Sequence, residues 1–87
     1  MRYIIENVNN GFIDMGVVKS GEVREMIKEI INSDREYIID WWNEYCGVDN
    51  VEGIVGEIMR MSESDKEDGI FEDEYFWDED SVLRFEE

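Results

Sequence analysis

Histidine, proline, alanine, threonine and glutamine are all missing from this chain, and cysteine and leucine occur once each. Each absence removes a class of chemistry. Without histidine there is no Ser-His-Asp triad and no Cys-His pair. One cysteine and no histidine also exclude the usual structural zinc sites. The lone Cys46 rules out an internal disulfide, fits a reducing cytosol and reads as a small buried hydrophobe. Neither GxxxxGK[ST] nor GxGxxG occurs, so no phosphate-cradling loop is expected. The N-terminal run MRYIIENVNNG is too short in apolar residues for a signal peptide. No stretch approaches the roughly 20 apolar residues of a membrane span. The expectation is a cytosolic protein without cofactor.

Basic residues are also scarce. Eight Lys and Arg face 24 Asp and Glu, for a net charge of −16 on 87 residues. Such a charge opposes compaction by self-repulsion. It repels phosphates, so direct nucleic-acid binding is excluded, and it disfavours an anionic membrane surface. A positively lined protein groove is the natural counterpart. Solubility alone is the plainer reading of the same charge.

The length gives one small domain, with residues 1–62 as an α+β scaffold and 63–87 as an acidic, aromatic segment packed on it. Arg2 to Val8 and Phe12 to Val18 are β-rich runs around Asn9-Asn10-Gly11, a strong hairpin turn signal. Gly16 marks a bulge or a close contact. Ser20 is a candidate cap for a helix from Gly21 to Asn32. Its Val23, Met26, Ile27, Ile30 and Ile31 fall on one apolar face. The stretch Asp34 to Gly47 admits two readings. As a strand, Glu36 to Trp42 is rich in Tyr, Ile and Trp. As a helix, Ser33 and Glu36 form a capping box, Ile38, Trp41, Trp42 and Tyr45 share a face, and Gly47 stops it. Asp49 with Glu52 suggests a second capping box before a helix from Val51 to Met61, where Gly53 and Gly56 allow close approach to a neighbour. Ser62 to Gly69 is expected to be a loop, Phe71 to Trp77 a short strand, and Asp80 or Ser81 the cap of a last turn with Val82, Leu83 and Phe85. The fold class is therefore α+β, a small antiparallel sheet opened by an N-terminal hairpin and packed by two amphipathic helices.

The segment 63–87 holds twelve acids against Lys66 and Arg84, interleaved with Phe71, Tyr75, Phe76, Trp77 and Phe85. A solvated tail does not need so many aromatics, nor a buried one so much charge. The candidate partner-binding residues are Asp65, Glu67, Asp68, Glu72, Asp73, Glu74, Tyr75, Trp77, Asp78, Glu79 and Asp80. Carboxylates two apart on a strand lie about 6.5–7 Å apart, and those four apart on a helix about 6 Å along the axis. Both match the scale on which a nucleic acid presents its phosphates. Aromatic anchors dominate protein interfaces, although these rings could equally close the core. A calcium loop is a poor fit, because Gly69 at its sixth position puts Lys66 and Ser64 at ligand positions. Nothing supports an enzyme.

Tyr3-Ile4-Ile5, Asn9-Asn10-Gly11 with Gly16, the acidic helix, Glu36-Tyr37-Ile38-Ile39-Asp40-Trp41 and the helix near Val51 to Met61 together resemble the N-terminal domain of ArdA-type antirestriction proteins. That resemblance covers about Arg2 to Met61. It implies an α+β module with Glu36 to Trp42 as a strand, and a protein that looks like DNA and blocks restriction enzymes. In size and charge the chain is also similar to small acidic phage anti-CRISPR proteins. The expected activity is inhibition of a bacterial defence nuclease, a CRISPR effector or a restriction enzyme, by occupying its basic nucleic-acid cleft. The alternative is an acidic adaptor or regulatory subunit that neutralises a basic partner without competing with DNA. The oligomeric state stays open, a homodimer included.

Overall fold

A computed structural model describes residues 2–7, 11–17, 21–67, 74–77 and 80–86; for 12–15, 65 and 66 it describes the backbone alone. The elements run β1 (Arg2–Asn7), β2 (Gly11–Val17), α1 (Val23–Ser33), α2 (Arg35–Cys46), α3 (Val51–Glu67), β3 (Glu74–Phe76) and β4 (Ser81–Glu86). The four strands form one antiparallel sheet in the order β2-β1-β4-β3. The α+β class holds, with three helices where two were expected.

β1 and β2 pair antiparallel as the expected hairpin; Asn9 and Asn10 of the expected turn lie outside the described residues. The strand register slips between Tyr3 and Ile4, which pair with Gly16 and Asp14. Gly16 sits at φ +112°, a left-handed conformation that strains any side chain, so the bulge falls where glycine permits it. β4 then pairs with β1 along its whole length, from Arg2 opposite Glu86 to Asn7 opposite Ser81. The expected turn after Asp80 is thus a strand. Ser81, Leu83 and Phe85 alternate inward, a period of two. β4 thus sits in the middle of the sheet beside β1.

The helices cover one face of that sheet. Met26, Ile27, Ile30 and Ile31 of α1, Ile38 and Trp42 of α2, and Ile54, Val55 and Ile58 of α3 meet Tyr3, Tyr75, Leu83 and Phe85 in one core. Burying such side chains contributes about 1.5–3 kcal/mol each against leaving them exposed. On the opposite face, Ile4 is only 2% exposed and lies outside that cluster. Beside it Arg84 pairs with Glu6 at 2.7 Å.

Residues 35–46 form a helix, which corrects the strand implied by the antirestriction resemblance. Ile38 and Trp42, four apart, fall into the core, and no strand register could bury both without also turning Asp40 inward. Gly47 at φ +67° ends the helix, its N–H donating to the Asn43 carbonyl at 3.0 Å. The expected caps are displaced. Ser33 donates to the Ile30 carbonyl at 2.6 Å, and Asp34 precedes α2 without a side-chain cap bond. Asn50, rather than Asp49, caps α3 by accepting from the Gly53 N–H at 2.7 Å. Ser20 lies outside the described residues.

Helix α3 also continues through residues expected to be a loop, reaching Glu67. Ser62 explains this. It is buried, and its hydroxyl donates to the Glu74 carbonyl at 2.7 Å, tying α3 to β3. Lys28 ties α1 to α3 through Glu52 at 2.7 Å and holds Glu25 at 3.2 Å. The hydrogen bonds that Lys28 donates to Glu52 and then Glu25 raise its pKa above the ordinary lysine value, against a smaller desolvation effect.

Candidate partner-binding site

The described candidate residues of the C-terminal segment do not form one surface. Glu67 is exposed at the end of α3, and Asp65 lies in the same turn. Glu74 is on β3 opposite Arg84, on the sheet face away from the helices. Tyr75 follows it and therefore points the other way. Only 7% exposed, Tyr75 packs edge-on against Phe85 with ring centroids 5.9 Å apart. It is a core residue, which corrects its expected role as a surface anchor. Trp77 is half-buried against the same core, its backbone N–H donating to the Ser81 carbonyl at 2.9 Å. Asp80 is exposed at the start of β4. Asp68, Glu72, Asp73, Asp78 and Glu79 lie outside the described residues.

A more regular acidic array appears on α2. Glu36, Asp40 and Glu44 are four residues apart, all exposed, and so form one row with a rise of about 6 Å per step. None of the three has an ion-pair partner among the described residues. The only base on this helix, Arg35, donates to Asn32 at 2.8 Å. Like charges at i,i+4 destabilise a helix by about 0.2–0.5 kcal/mol per pair. Glu44 stands in the last turn, which holds no base, against the negative end of the helix dipole. Glu36, in the first turn, is favoured by the same dipole, so the cost of the row is the repulsion between its members.

Tyr37, Trp41 and Tyr45 form a second row, set by the helical period between the carboxylates and the buried Ile38 and Trp42. Tyr37 and Tyr45 are 66% and 67% exposed. Tyr45 thus leaves the apolar face on which the sequence placed it. Trp41 packs on Tyr45 at 5.0 Å and on Trp42 at 5.5 Å. The missed signal was present in DREYIIDWWNEYCG as acids at every fourth position. It becomes visible only once the helical reading is chosen.

Beside this face lies a cavity of about 510 Å³ between the second half of α2 and α3, bounded by Trp41, Trp42, Tyr45, Cys46, Glu57 and Arg60 among others. Arg60 donates to Glu57 Oε2 at 2.7 Å, and that bond holds its pKa above the ordinary arginine value. Cys46 is exposed, not buried as expected. The Trp42 indole N–H is buried with no hydrogen-bond partner among the described residues. A donor left in that condition costs about 1–3 kcal/mol.

Among the described residues no group of three or more His, Cys, Asp or Glu could hold a metal ion, and no helix is long and apolar enough to cross a membrane. Comparison with known proteins finds no matching family model, no matching curated protein and no matching solved structure.

Proposed function

We propose that the chain is an inhibitory binding protein that uses the outer face of α2 to occupy a positively charged nucleic-acid cleft on another protein. The observation that carries this reading is the row Glu36, Asp40, Glu44, without an ion-pair partner among the described residues and maintained against the repulsion between its members. Residues that break a local stability rule without local compensation mark sites held for another purpose. Arg and Lys side chains in such a cleft form charge-assisted bonds with carboxylates as they do with phosphates. Tyr37 and Tyr45 add aromatic contact area at the edge of the row. The excess of acids in 63–87 extends the same negative field.

The resemblance to antirestriction proteins suggests a bacterial defence nuclease, a restriction enzyme or CRISPR effector, as the partner. Blocked DNA binding is the mechanism it suggests. No enzymatic step is assigned to this chain. The test is competition. Protein captured on the immobilised chain from a bacterial lysate should be released by duplex DNA, and by salt, since exposed charges are screened over about 8–10 Å at physiological ionic strength. A captured protein that binds DNA equally well with this chain saturating it belongs to the adaptor reading instead.

A further inference from the structure

We propose that the cavity between α2 and α3 receives an arginine side chain of the basic partner. This rests on the reading of α2 as a docking face and names what the adjoining hollow recognises. At about 510 Å³ the cavity falls within the range of specific ligand sites, about 300–1,000 Å³. It can take a long side chain with the backbone that carries it.

The walls select for a planar cation. Trp41 and Tyr45 line the cavity, and guanidinium groups stack on aromatic rings. Glu57 lines it from α3. One of its oxygens accepts from Arg60, while the other has no partner among the described residues. Asp80 adds a second negative charge at the rim. Arg60 also lines the cavity and is paired with Glu57, so Glu57, Arg60 and Asp80 together leave one net negative charge, and the 68% exposure of the Arg60 side chain lets water screen its repulsion. An anionic ligand would meet the field of a −16 chain.

The test is titration of the intact protein with Nα-acetyl-arginine amide, followed by tryptophan fluorescence at constant ionic strength, with the lysine and citrulline amides in parallel. Saturable binding is expected for arginine, weaker binding for lysine and none for citrulline, which keeps the shape without the charge. Glu57→Gln should weaken arginine-amide binding roughly tenfold, the scale of one charge-assisted hydrogen bond. Tyr45→Ala, at an exposed position, should weaken it without unfolding the chain. Asp40→Lys, outside the cavity, should leave amide binding largely intact while it removes partner capture. That contrast separates failure of the pocket from failure of the docking face. Equal binding of citrulline or lysine, or no saturable signal, overturns the assignment.

Discussion

Reversing the middle charge of the α2 row separates stability from binding. Asp40 faces Glu36 one turn before it and Glu44 one turn after it, both exposed. Each like-charge pair destabilises by about 0.2–0.5 kcal/mol, and an opposite pair stabilises by a similar amount. Asp40→Lys converts both, a gross change of about 1–2 kcal/mol, and solvent screening keeps the net near the lower end. For a chain of 87 residues, about 1 kcal/mol raises the melting temperature by about 4–8 °C. Urea unfolding followed by tryptophan fluorescence should show a higher midpoint with an unchanged slope. The same variant should lose capture of the basic partner at least about tenfold, the effect of about 1.4 kcal/mol. A variant that is less stable refutes the claim that the row opposes its own helix. One that is more stable and still captures the partner refutes the claim that the row exists for binding.

Other outcomes follow from single contacts. Gly56 has nothing within 4 Å of where a Cβ would sit, so Gly56→Ala should stabilise by up to about 1 kcal/mol. A Cβ on Gly53 would meet Val48 Cγ1 at 2.6 Å. Because Val48 is stiff at χ1, Gly53→Ala should give none of that gain in the same urea titration. Ser62→Ala removes the tie from α3 to β3 and should destabilise by about 1–2 kcal/mol. Hydrogen exchange should then quicken first at Glu74–Phe76. Lys28 has a folded pKa above its unfolded value, so its contribution is complete below about pH 10.4 and disappears as pH rises through the higher folded value. The stability difference between wild type and Lys28→Met should therefore shrink only in strongly alkaline solution.

Much of the scaffold is legible from local pattern. The hairpin, the bulge at Gly16, and the apolar faces of α1 and α3 each arise from residues close in sequence. What sequence leaves open depends on distant partners. β4 becomes a strand because it pairs with β1, and Asn7 donates to Ser81 across the length of the chain at 2.7 Å. No short window contains that bond. Helix α3 outlasts its apolar pattern because Ser62 finds a carbonyl on β3. In α2, tyrosine and isoleucine favour a strand locally, while the spacing of Ile38 and Trp42 and the stop at Gly47 decide for a helix. Gly56 lacks the close neighbour expected of it, whereas Gly53 has one in Val48, just before the helix. The candidate site shows the same division. Acid and aromatic content leads to the expectation of a basic partner at 63–87, but alternation on β3 turns Tyr75 inward, and the regular row of carboxylates lies on α2.

The decisive measurement is DNA binding by the captured partner as this chain is titrated in. If the α2 face takes the place of a nucleic acid, bound DNA should fall in proportion to occupancy, and the triple variant Glu36→Lys, Asp40→Lys, Glu44→Lys should have no effect on it. A stable complex of partner, DNA and this chain together would contradict the account.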